Sequence, residues 1–175
     1  MIGQSLGFDR IFPAHFPPHF LQEWNHDTTR IVDQVMGAFM MIRRPLFETL
    51  SGFDERFFVY FEDLDLALRA RALGWTSVYL ATAQAFHRGR GTTDAAKAKR
   101  LFYVTRSRIL FSFKHFSRPA AIAVATSTIV LEPLARTWEA LILGSVTELP
   151  DIARAFAELW AELPRMLYGG DVATP

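Results

Sequence analysis

The segment Tyr60–Gly74, YFEDLDLALRARALG, sets three carboxylates within four residues and follows them with helix-forming residues up to a glycine. From Glu62 to Leu73 the residues favour helix, Phe61, Leu64 and Leu68 recur at helical spacing, and Gly74 is placed to end the helix. At the first turn, Glu62 and Asp63 lie where unpaired backbone N–H groups and the helix dipole favour negative charge. Asp65 and Arg69 are four apart, a spacing that lets them pair across one turn. Helix-start chemistry alone therefore accounts for all three acids, and any sharper role needs support from their neighbours.

The 175 residues, 50% hydrophobic and 14% aromatic, suffice for one domain with a real core and exclude a disordered chain. A net charge of +1 offers no basic excess to draw nucleic acid, so nucleic acid is not an expected partner. With no cysteine there are no disulfides or thiolate metal sites, and any metal must use carboxylate and imidazole ligands. The first residues lack the charged-then-apolar pattern of a signal peptide, which gives the expectation of a cytoplasmic protein. The stretch PAAIAVATSTIVLEPLARTWEALILGS is interrupted by Glu132, Pro133, Arg136 and Glu139. Its apolar run falls short of the roughly 20 residues that cross a bilayer, so it is expected to be an interfacial or packed helix.

Along the chain, residues 1–34 carry Pro, Phe and His without a period and read as irregular. Val35–Ile42, VMGAFMMI, is a near-continuous apolar run expected to form a buried strand, with Gly37 marking a close approach or a bulge. PLFETL, 45–50, is expected as a short helix ending near Gly52, and WTSVYLA, 75–81, as a strand. Thr92, Thr93 and Asp94 are placed to cap a long basic helix, and two further helical stretches are expected at about 119–144 and 150–167.

The ordered array Gly37-Ala38, Arg43, Gly52-Phe53-Asp54-Glu55, Phe57, Phe58, Tyr60, Glu62-Asp63, Asp65, Arg69, Gly74 and His87 resembles the acceptor-side half of family 2 glycosyltransferases. It is most similar to the bacterial rhamnosyltransferase-like members that build cell-surface polysaccharide, over about residues 35–115. The resemblance implies an α/β architecture, the C-terminal portion of a GT-A (nucleotide-diphospho-sugar transferase) fold followed by C-terminal α-helices. It divides the chain into a partial transferase domain, 1–117, and a helical region, 118–175, that is membrane-associated. The family's nucleotide-binding half, with its Asp-x-Asp motif, is not found in these residues, so a fragment of an enzyme is expected, inactive by itself.

By the same resemblance Asp63 is the base that takes the proton from the acceptor hydroxyl in an inverting transfer, and Glu62 orients the acceptor or a nearby loop. Tyr60, Asp65, Arg69, Gly37, Ala38 and Arg88 are the implied substrate-binding residues, and His87 the implied contact to a divalent metal or the donor diphosphate. That metal would be Mg²⁺ or Mn²⁺, the hard cations that phosphate and carboxylate oxygens select. The implied partners are a nucleotide-diphosphate sugar, a saccharide or polyprenyl-linked acceptor, and a membrane surface at the inner face of the cell membrane. Asp63-Leu64-Asp65 matches Asp-x-Asp as a pattern, but assigning it to the metal would leave no base. Two alternatives remain from other classes: a non-catalytic remnant or module that binds glycan or a partner chain, and a small metal site made of Glu62, Asp63, Asp65 and His87.

Overall fold

The structure, a computed structural model, describes residues 24–86 and 96–168, except for the side chain of Leu167. The described residues fall into two compact units, 24–86 and 96–168. The division near residue 92 precedes the boundary drawn at 117 from the sequence, because the long basic helix packs with the C-terminal helices.

In the first unit, strand β1 (Arg30–Val32) pairs antiparallel with β2 (Ser77–Tyr79), Ile31 lying opposite Val78. A two-stranded ladder has little stability by itself. Here it is reinforced at one end by Trp24, whose ring stands edge-on to Tyr79 at 4.9 Å and carries the Arg30 guanidinium 4.2 Å from its centroid. Helix α1 (Arg44–Thr49) begins with a proline in its first turn and ends as Gly52, at φ +74°, turns its N–H onto the Phe47 carbonyl at 2.9 Å. Helix α2 (Glu62–Ala72) ends the same way, with Gly74 at φ +82° and the Trp75 N–H on the Ala70 carbonyl at 3.1 Å. Its buried line runs through Asp65, Leu66 and Ala70, and Phe61, Leu64 and Leu68 are half-buried.

The buried strand expected at 35–42 does not form. Gly37–Phe39 is a single 3-10 turn, and Met36, Phe39 and Met41 are exposed, Met41 at 97%. An apolar run becomes a buried strand only where neighbouring strands satisfy its backbone and cover both faces, and β1 and β2 pair only with each other among the described residues. Gly37 does mark a close approach: a Cβ there would lie 3.4 Å from the Asp63 side chain.

The second unit is helical. Helix α3 (Lys97–His115) packs against α4 (Arg118–Thr126) and α6 (Leu149–Tyr168), and α5 (Glu132–Ile142) also rests on α6. The cap expected at Thr92–Asp94 lies outside the described residues; the cap position of α3 is Ala96, with no side-chain hydrogen bond. Ile109, Leu110, Phe111, Phe156, Leu159 and Met166 form the core and are nearly sealed.

A π-turn, Ser127–Leu131, joins α4 to α5 and keeps Ala121, Ala125, Thr128 and Glu132 on one buried line. Glu132 is fully buried and is met by two arginines: Arg108 from α3, and Arg136 one turn on, whose Nε donates at 2.9 Å. Removing the central charge would strand Arg108, only 8% exposed, in a dry site. Glu132→Ala is expected to lower unfolding stability by about 3–5 kcal/mol, whereas replacing all three members with Leu or Met recovers most of the loss. Urea unfolding followed by helical circular dichroism measures both, and a mild single substitution would show that the triad is not what joins these helices.

Candidate active site

The acid-bearing end of α2 is presented by a strained turn. Tyr60 and Phe61 both occupy the left-handed region, at φ +67° and +70°, a conformation that costs a residue with a side chain about 1–2 kcal/mol. The turn before them is closed by Asp54, whose carboxylate accepts from Arg56 Nε at 3.0 Å and Nη2 at 2.7 Å. Phe57 is buried at 5% exposure, which settles it as core, while Phe58 next to it is 74% exposed.

What fixes the turn against the helix is Asp65. Its side chain is sealed from solvent and accepts from Arg69 Nε at 2.7 Å. The same guanidinium donates to the carbonyls of Leu50 at 2.7 Å and Gly52 at 2.9 Å. One planar cation thus binds the interior of α2 to the end of α1, a use of its rigid fork that lysine cannot reproduce. This corrects the substrate-binding role expected of Asp65, since a carboxylate with no solvent access meets no substrate, and it gives Arg69 a structural task in which all three guanidinium nitrogens donate to the chain itself. It also removes Asp63-Leu64-Asp65 as a metal motif, since the second aspartate points into the fold.

Asp63 and Glu62 have different surroundings. Asp63 Oδ2 accepts the Gly37 N–H at 2.9 Å and Oδ1 accepts the Leu64 N–H at 2.8 Å. An ionised carboxylate has about four acceptor sites, so each oxygen retains one for another donor. The exposed Gly37-Ala38 turn is thereby held against Asp63, which joins three of the expected site residues in one place. Glu62 Oε2 is buried without a hydrogen-bond partner. Burial pushes the Glu62 carboxyl above its usual range; a hydrogen bond from its own backbone offsets part of this, and the charge of Asp63 adds to the rise.

Tyr60 stands in the left-handed turn directly before Glu62. His87 and Arg88 lie outside the described residues. Among the described residues no three His, Asp or Glu side chains converge as metal ligands; the small metal site considered above includes His87, which lies outside them. The spacing of Asp65 and Arg69 revealed their pairing; the Leu50 and Gly52 carbonyls, far away in sequence, left no signal of their part in it.

The model of glycosyl transferase family group 2 matches residues 14–156. The chain belongs to this family. It is similar to the N-acetylglucosaminyl-diphospho-decaprenol L-rhamnosyltransferase of Mycobacterium tuberculosis, strains CDC 1551 and H37Rv, with 35% identity over 92 residues. That match covers 53% of this chain and 30% of the relative. It is also similar to rhamnosyltransferase WbbL of Escherichia coli K12, with 33% identity over 100 residues, covering 53% of this chain and 38% of the relative. This family 2 glycosyltransferase chain therefore spans 30–38% of the length of these curated relatives. No solved structure matches it. Membership implies the GT-A fold, of which the described residues show a helix-rich part with a two-stranded sheet.

Two outcomes follow from the geometry. Asp65→Asn keeps the volume but takes the anion from Arg69, and is expected to cost about 3–5 kcal/mol in urea unfolding; a loss below 1 kcal/mol would show that the carbonyl bonds hold the turn without it. For Glu62, a folded pKa raised above the unfolded one means stability that is present at acid pH and lost as pH rises through the folded value. Glu62→Gln should therefore gain on the parent as pH rises above the usual carboxylate value of about 4, and a pH-independent difference would contradict the raised carboxyl.

Proposed function

We propose that this chain carries the acceptor side of an inverting glycosyltransferase, with Asp63 as the base. In the reaction the acceptor hydroxyl attacks the anomeric carbon of a nucleotide-diphosphate sugar, the bond to the diphosphate breaks with its electron pair leaving on phosphate oxygen, and the hydroxyl proton passes to Asp63. The observation that carries this reading is the Asp63 carboxylate, half-exposed, held by the backbone N–H groups of Gly37 and Leu64, with one acceptor site left on each oxygen. A base so fixed spends no energy on orientation when the proton moves.

Glu62 is the positioning partner. Half-buried beside Asp63, with Oε2 buried and unpartnered and the carboxyl raised by burial, it is placed to orient the acceptor or the neighbouring loop, a different task from that of its neighbour. The exposed Gly37-Ala38 turn borders the same place, Gly37 lying close enough that a Cβ there would be 3.4 Å from the Asp63 side chain.

The names of the relatives support L-rhamnose as the transferred sugar and a prenyl-diphosphate-linked saccharide as the acceptor, in the synthesis of cell-surface polysaccharide. The reading assigns these residues to the C-terminal portion of the GT-A fold. Mg²⁺ or Mn²⁺ belongs to it through donor phosphates and His87; the described residues do not supply a ligand set by themselves.

The test is transfer from a panel of nucleotide sugars that includes the dTDP-L-rhamnose type, with the chain assayed alone and within its full reading frame. Asp63→Asn is expected to lower kcat roughly 10²- to 10⁴-fold with donor binding unchanged. Glu62→Gln is expected to act mainly on the KM for acceptor. Undiminished turnover in Asp63→Asn would remove it as the base, and absence of turnover in the parent across donors and lipid-linked acceptors would favour a binding module.

A further inference from the structure

The base-bearing end of α2 has an apolar border that the packing of the fold does not use. Met36, Phe39 and Met41 are 54%, 61% and 97% exposed, on the segment whose Gly37 N–H donates to Asp63 Oδ2 at 2.9 Å. Two trans peptides separate Gly37 from Phe39, so their Cα atoms are at most about 7.6 Å apart. The Met36 carbonyl accepts the Phe39 N–H at 3.3 Å, which closes the turn through the backbone. A polar side chain at position 39 would keep that bond and the Gly37 bond to Asp63, so neither of them calls for a phenyl ring there.

The neighbouring acid narrows what such a ring can serve. Asp63 keeps one acceptor site on each carboxylate oxygen, a place for a hydroxyl donor. A flat apolar face close to a hydroxyl acceptor matches a molecule with hydroxyls along its edge and C–H bonds on its face. That description fits a pyranose ring, whose C–H groups are drawn to the negative face of an aromatic ring. A bare hydrocarbon chain would use the apolar border but leave the acid unanswered, and a phosphate would be repelled by Asp63.

We propose that Phe39 is a specificity-determining residue for the acceptor: its ring stacks on the C–H face of the acceptor's terminal sugar while a hydroxyl of that sugar faces Asp63. The inference rests on the reading of Asp63 as the base, and it adds that a pyranoside is selected over a simple alcohol. Because the Gly37 hydrogen bond ties this turn to the base, a sugar seated on Phe39 is also held in register with Asp63, which fixes the hydroxyl that is presented for transfer.

The experiment is binding of a short-chain prenyl diphosphate carrying N-acetylglucosamine to the whole chain, without nucleotide sugar, read by saturation-transfer NMR on the sugar C–H protons. The parent is expected to saturate those protons, and Phe39→Ala, checked for unchanged circular dichroism, to weaken binding about tenfold. Phe39→Trp should restore binding, whereas Phe39→Leu, apolar but without a π face, should not. Within the full reading frame, Phe39→Ala should raise the KM for acceptor by the same factor and leave kcat and the KM for donor little changed. The proposal is overturned by a parent that does not saturate the sugar, by parent-like binding of Phe39→Ala, by full recovery in Phe39→Leu, or by an equal loss in Met41→Ala. Because binding is read without a sugar donor and the base is read by turnover of Asp63→Asn, failure of the stacking is distinguishable from failure of the transfer reading.

Discussion

A carboxylate with no access to water must be matched by a cation, and in the first unit that demand is met by one residue. Asp65 is sealed inside α2, and Arg69 answers it at 2.7 Å. Because a guanidinium carries five donors in a plane, two more of them reach the Leu50 and Gly52 carbonyls left over at the end of α1. The position of α2 relative to α1 follows from that plane. So does the path of residues 53–61, which must leave Gly52 and enter the helix through two left-handed residues. The strain at Tyr60 and Phe61 persists because both ends of the turn are held.

The consequence for chemistry is a division of labour between adjacent acids. Asp63 is fastened by two backbone N–H groups, while Glu62 has a buried oxygen without a partner and a carboxyl pushed up by burial. Two adjacent carboxylates acquire different surroundings, one pinned by backbone donors and half-exposed, the other with a buried oxygen left unpartnered. Neither would be fixed in place if α2 began elsewhere. The same logic appears in the helical unit, where Glu132 with Arg108 and Arg136 fills a dry position between helices and leaves the opposite face of α4 and α5 almost free of charge.

Much of this was legible in the sequence. Helix α2, its start at Glu62 and its end before Gly74, follows from propensity and capping; so does α1 with its proline start, and so do the long helices after residue 96. The close approach at Gly37 was marked by the glycine itself. The ordered motif array also disclosed the family. These features are local or depend on residue order, which a linear string preserves.

What the sequence misjudged depends on distant neighbours. VMGAFMMI has the composition of a buried strand, yet becomes a 3-10 turn with exposed methionines, because a strand needs partners and the described ladder has only two members. Asp65 and Arg69, grouped with the substrate residues by motif, lock the fold, because burial and the carbonyls of a helix many residues earlier decide what an ion pair does. Sequence by itself determined the helices, the place of the acids at a helix start and the family, since these rest on short-range periodicity and residue identity. Tertiary structure alone decided which acid is sealed, which is pinned and which is left unpartnered, since access to water and to backbone donors exists only once the chain has folded.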